Sequence, residues 1–207
     1  MLLAIASVSL TSCTNNDDGI YIPDPDNGYR GKIMYKGVTF PLKFARVEDM
    51  KFADNGYYYI VEMASNRVSL NTSSYADSYL YLEIYQHQSL PFSGEYFTNS
   101  DDKAIDYIDY YEGVNLDRGQ VVNYKFRIAD DQFQSGRLFL NNYQNGLLRT
   151  NFTFIDLDGY SLSGDYDGLF EFIDHYNRSA VNNYKSTATK NREKSKGNLR
   201  QLRSVEK

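Results

Sequence analysis

The chain has 207 residues, a formal net charge of −5, 42% hydrophobic residues and 24% charged ones, which suits one domain with a real core plus tails. The charge is uneven: residues 1–173 hold 13 Lys/Arg against 24 Asp/Glu, net −11, whereas residues 174–207 hold 9 against 3, net +6. An acidic body excludes the basic face that nucleic acid requires, and a single cysteine excludes an intrachain disulfide and a thiolate metal cluster.

At the N-terminal end, Leu2 to Leu10 form an apolar run, too short to span a bilayer but of the length of a signal-peptide hydrophobic region. Small residues follow, then Cys13. Leu10-Thr11-Ser12-Cys13 resembles the bacterial lipobox, so residues 1–12 read as a signal peptide and Cys13 as the lipidation site. No Lys or Arg precedes the apolar run, and the true start is expected upstream. Acyl chains contribute about 0.8 kcal/mol per buried methylene, so a multiply acylated cysteine stays in the membrane. Thr14, rather than Asp, favours the outer membrane, and Asn15-Asn16-Asp17-Asp18 resembles the acidic export tag of Bacteroidota surface lipoproteins, which favours the cell surface, with the periplasmic face as the alternative. Residues 13–28, with Pro23, Pro25 and several Asx residues, read as a tether.

Residues 29–173 read as a β domain. The 20 tyrosines and 12 phenylalanines, with no tryptophan, favour strands. Val38, Phe40, Leu42 and Phe44 share one face of a strand that Pro41 marks as an edge. Tyr57–Met63 is a second strand. In Tyr79–Tyr85, Leu80, Leu82 and Ile84 point one way, and Tyr79, Tyr81, Glu83 and Tyr85 the other. Lys103–Gly113 is ambiguous between strand and weak helix. Val122, Tyr124, Phe126 and Ile128 align along one further strand, and "GRLFL", "LLRTNFTFI" and "GLFEFI" continue the series. Asp54-Asn55-Gly56, Ser93-Gly94, Ser135-Gly136, Asn145-Gly146 and Asp158-Gly159 supply turns. The expected fold is an antiparallel β-sandwich, or alternatively a closed or partly closed antiparallel, lipocalin-like barrel. Residues 174–207 read as a basic, disordered tail, since so polar a segment buries too little apolar surface to fold.

The phrase Ser-Gly-x-hydrophobic recurs at Ser93-Gly94-Glu95-Tyr96, Ser135-Gly136-Arg137-Leu138 and Ser163-Gly164-Asp165-Tyr166, as if to bend the chain before a strand resumes. Together with Leu90, Pro91, Asp158, Gly159 and Gly168, these positions resemble a group of Bacteroidota surface lipoproteins. The resemblance covers about residues 30 to 173. It implies an extracytoplasmic all-β domain anchored to the membrane through Cys13, and it supplies no catalytic residues.

His87 and His175 share no metal-ligand spacing, and neither a metal site nor a cofactor is expected. Asp101, Asp102, Asp106, Asp109 and Glu112 crowd one segment. They could serve as a paired-carboxylate hydrolase site, alone or with Glu83 or Glu95, but crowding equally describes a solvated acidic loop. The tyrosines are the better lead. Tyr79, Tyr81 and Tyr85, joined by Tyr57, Tyr59, Tyr107, Tyr110 and Tyr111, could form a wet aromatic face that stacks on a glycan or a protein partner. The same tyrosines could instead stabilise the sheet or pack as a second core. The expected function is a lipid-anchored binding or display protein. A carbohydrate-active hydrolase and a purely structural envelope lipoprotein are the alternatives.

Overall fold

The computed structural model describes residues 30–50, 56–143 and 147–175. Cys13, the tether, the Asn145-Gly146 turn and the tail beyond residue 175 lie outside them. The described residues are all-β. Their thirteen strands are β1 (Gly31–Tyr35), β2 (Val38–Leu42), β3 (Phe44–Asp49), β4 (Gly56–Ala64), β5 (Ser73–His87), β6 (Gly94–Phe97) and β7 (Lys103–Asp117), followed by β8 (Gln120–Asn123), β9 (Phe126–Ile128), β10 (Phe133–Tyr143), β11 (Leu147–Asp156), β12 (Ser161–Leu169) and β13 (Glu171–Asp174). A single 3-10 turn, Asp130–Gln132, joins β9 to β10.

All thirteen strands belong to one hydrogen-bonded sheet in the order β13-β3-β4-β5-β7-β6-β10-β11-β12-β1-β2, with β8 and β9 pairing onto β7. The ladder curls. Only Lys43 separates β2, at one end, from β3, next to the other end. Only Phe170 separates β12 from β13, which is the other end. Consecutive Cα atoms lie about 3.8 Å apart, so each of these links holds distant parts of the ladder within about two such steps. The two ends therefore meet at corners, and no strand pairing closes the sheet into a barrel. Two pairings are parallel, β13 with β3 and β6 with β7, where a purely antiparallel arrangement was expected. The first follows from the corner: β13 leaves β12 and joins β3 from outside, so no hairpin sets its direction.

The curl encloses the main core. Leu80, Leu82 and Ile84 of β5 face Ile33 and Leu42 from the opposite end of the ladder and Leu138, Phe152 and Phe154 from its far limb. Burying an aliphatic or phenylalanine side chain is worth about 1.5–3 kcal/mol, so this cluster is the principal driving force for the curl. β11 shows the underlying pattern, with Leu148, Thr150, Phe152 and Phe154 buried and Arg149, Asn151 and Thr153 exposed between them.

Pro41 does lie on a terminal strand, and Lys103–Gly113 is strand rather than helix. The stretch Val122–Ile128 is not one strand. It breaks at Tyr124 and Lys125 between β8 and β9, leaving Val122, Tyr124 and Phe126 exposed and only Ile128 in the core. The recurring Ser-Gly phrase also differs in role from a bend. Gly136 and Gly164 lie inside strands, and a Cβ on Gly164 would collide with the Lys32 carbonyl and the Phe152 ring. The residue two positions on is core: Tyr96, Leu138 and Tyr166 are fully buried. The Tyr96 hydroxyl donates to the Phe92 carbonyl at 2.6 Å, and that of Tyr166 to the Leu169 carbonyl.

Candidate functional site

The outer face of β3, β4, β5 and β7 carries most of the tyrosines singled out from the sequence. Strand register lines up Glu171, Arg46, Glu62, Tyr81 and Asp109 across five neighbouring strands, and Ile173, Glu48, Ile60, Glu83 and Tyr107 in the next row. This face is covered. Phe44, Ile60, Val68, Tyr79, Tyr81, Tyr111, Val114 and Leu116 form a second apolar cluster, with Val121 of β8 packed against it.

The expectation of a solvent-facing tyrosine platform is therefore corrected. Tyr79 is 1% exposed and Tyr111 7%; Tyr81 is buried beside them, and Tyr107 is half-buried against the same cluster. Tyr59 and Tyr110 are on the other side of the sheet, in the main core, and Tyr57 is half-buried against it. Tyr85 is half-buried with its ring 5.0 Å from that of Tyr58. The physical reason is position: β5 and β7, of 15 residues each, run through the middle of the ladder and are covered on both faces.

A buried phenol needs a hydrogen-bond partner, and here carboxylates provide it. Tyr79 donates to Glu62 at 2.5 Å, Tyr81 to Glu83 at 2.7 Å, and Tyr107 and Tyr111 to Oδ2 of Asp109 at 2.8 and 2.7 Å. Cations balance the acids. Arg46, fully buried, donates to Glu62 at 2.9 Å, to Glu171 at 3.0 Å and to the Val68 carbonyl. Arg127 of β9 forks onto both oxygens of Asp109 at 2.9 Å and lies 5.5 Å from the Tyr111 ring centre. Burial first, then the charge of Asp109, pushes the Tyr107 and Tyr111 phenols well above their ordinary range. Tyr59, buried near Asp49, is pushed up to about 12. Beside this network, Asp130 accepts from the Ile108 amide at 2.9 Å. Burial, reinforced by the charges of Asp109, Asp131 and Glu83, raises its carboxyl to about 6 against that amide bond. His175 pairs with Glu48 at 2.9 Å.

Of the acids considered as a catalytic pair, Asp109 and Glu83 lie near each other beside Asp130, buried on the covered outer face, and the others are dispersed. Asp101 and Asp102 are exposed before β7. Asp106 is the extra residue of a bulge, between the pairs Glu83–Tyr107 and Ile84–Ile105. Asp109 is held by Arg127 on the outer face, and Glu112 accepts from Tyr110 at 3.1 Å on the inner side. Glu83 is buried under Tyr81, and Glu95 is exposed, 3.9 Å from Arg137. His87 bonds Ser89 at 2.8 Å, whereas His175 engages Glu48. Among the described residues, no group of three or more His, Cys, Asp or Glu is placed to hold a metal ion.

A different set of rings is open to solvent. The β1–β2 turn at Lys36-Gly37, the β11–β12 turn at Asp156–Tyr160 and strand β9 converge at one end of the curl. Tyr35 is buried there. Its hydroxyl donates to Asp156 at 2.6 Å, and its ring stacks on Phe126 at 5.8 Å and 25° and meets Tyr110 edge-on at 6.1 Å. The Lys36 ammonium sits 4.2 Å from the Tyr160 ring centre and 5.2 Å from that of Tyr35. Burial would raise Asp156, but the Tyr35 hydroxyl, the Tyr160 amide and the Lys36 charge outweigh it and hold the carboxyl below its ordinary value. Tyr160 is 49% exposed and Phe126 38%, and Val38, paired with Tyr35 across the hairpin, is exposed as well. Sequence reading missed this end because its parts come from three separate segments. The cue present was local: a basic residue before glycine at Lys36-Gly37, closing a tight hairpin.

No protein-family model, curated protein or solved structure matches the chain.

Proposed function

We propose that the chain is a lipid-anchored, extracytoplasmic binding or display protein of the outer membrane that contacts a glycan or protein partner. The lipobox-like run ending at Cys13, the Asn/Asp-rich segment after it and the tether support the anchoring. The observation that carries the binding part is the turn end, where partly exposed rings stand at one end of the curled sheet. Large apolar groups at a surface normally sit singly; here Tyr160 by way of Lys36, Phe126 by ring stacking and Val38 by strand pairing all adjoin Tyr35. The contact surface is therefore this end, and the covered tyrosine face serves stability.

Anchoring is tested by expressing the full chain in a bacterial host supplied with radiolabelled palmitate. Label should appear on the mature chain and be lost on Cys13→Ser, which should also release the protein from the membrane fraction. An unlabelled wild-type chain would overturn the placement.

A further inference from the structure

We propose that the turn end formed by Lys36, Phe126, Glu112, Asp158 and Tyr160 is a carbohydrate site for neutral pyranose units. This deepens the reading of the chain as a binding protein and rests on it. Four observations select that ligand class.

The first is the rings. Sugar rings present C–H faces that pack on aromatic surfaces. Phe126 stacks on Tyr35, whose hydroxyl is tied to Asp156, so one face of the Phe126 ring is supported by the fold itself. Preorganisation of this kind removes part of the ordering cost of binding. The second is the mixture of hydrogen-bonding groups around the rings. Lys36 and the Tyr160 hydroxyl donate; Glu112, directly across from Phe126 in the strand pairing, and Asp158 accept. Vicinal hydroxyls, each donor and acceptor at once, suit such a mixture, whereas an apolar peptide segment would bury these charges without partners.

The third is charge. Asp156, Asp158 and Glu112 outnumber Lys36, which already leans on two rings, within a body of net −11. A polyanionic glycan would be repelled, so the fitting units are uncharged. The fourth is access. A Cβ on Gly37 or on Gly159, at the tips of the two flanking turns, would have no atom within 4 Å. Among the described residues, both turn tips are open, and Tyr160 and Phe126 each keep part of their surface in solvent, where an extended chain can lie against them.

The test is an array of neutral gluco-, manno- and galacto-oligosaccharides alongside uronic-acid and sulfated glycans, probed with the purified full chain, followed by calorimetry on the best binder. Binding to neutral members is expected. Phe126→Ala with Tyr160→Ala should weaken it tenfold or more, while Tyr75→Ala, at another exposed tyrosine, leaves it unchanged; thermal unfolding verifies that each variant folds. Binding only to anionic glycans, no glycan binding at all, or affinity undiminished in the double variant would each overturn the site. Palmitate labelling of Cys13 reads anchoring separately, so failure of the sugar site is distinguishable from failure of the placement.

Discussion

The outer face of the central strands and the turn end of the curl are both rich in aromatic residues, yet they differ in how the rings are held. On the outer face, phenol hydroxyls are tied to carboxylates and the rings are covered: Tyr79 on Glu62, Tyr81 on Glu83, Tyr107 and Tyr111 on Asp109. At the turn end, Phe126 stacks on Tyr35 and Tyr160 meets Lys36, and both rings stay partly exposed. Aromatic content alone does not separate a core from a contact surface. What separates them is whether the hydroxyls and ring faces already have partners within the fold.

The sharpest way to break that contrast is to remove one charge from the covered face. Glu62→Ala leaves Arg46 buried with one of its carboxylates gone, and losing one partner of a buried pair costs about 3–5 kcal/mol. Denaturant titration should show a loss of that size; a change within error would mean that the face is wet. Tyr111→Phe deletes one donor to the Asp109 carboxylate and should cost about 1.5–3 kcal/mol by the same assay.

Asp130 sharpens the contrast through pH. Its folded carboxyl, at about 6, lies above the ordinary value of 3.8. The fold therefore disfavours the ionised form, and the penalty grows as pH rises from about 4 to 6 and is complete above that. Asp130→Asn keeps an oxygen for the Ile108 amide and should stabilise the protein by about 1–2 kcal/mol at pH 7, after allowing for partial solvation. The gain should vanish below pH 4. A gain independent of pH, or a loss at pH 7, would show that Asp130 is not desolvated. The smallest effect is expected at the turn end, where Tyr160→Ala should change stability by no more than about 0.5 kcal/mol, as is usual at exposed positions.

Much of the architecture is legible in the sequence. Leu80, Leu82 and Ile84 announce a core face because a period of two needs only one dry side to show itself. Asp158-Gly159 announces a hairpin because glycine reaches the positive φ, here +83°, that its turn requires. The other face of β5 misleads for a physical reason. Tyrosine looks amphipathic whether its hydroxyl meets water or a carboxylate, and the carboxylate for Tyr79 stands 17 residues away. Charges set within apolar runs, Arg46 in "FARVED" and Glu62 in "YIVEMA", were the sign that both faces are covered. The hairpins at Lys36-Gly37 and Arg118-Gly119 were harder to see, since Lys36 and Arg118 take φ values of +46° and +51° in place of the usual Asn or Asp. The turn end depends on the curl itself, which no local pattern specifies.

Tyrosine nitration with peptide mapping tests the second core most directly, because the reagent reads each ring separately in the folded protein. Tyr160, Tyr124 and Tyr75 should react readily, while Tyr79, Tyr96, Tyr110, Tyr111 and Tyr166 stay protected until the chain unfolds. Modification of Tyr79 or Tyr111 as fast as that of Tyr160, in protein that still unfolds cooperatively, would contradict a covered outer face and return those tyrosines to the binding surface.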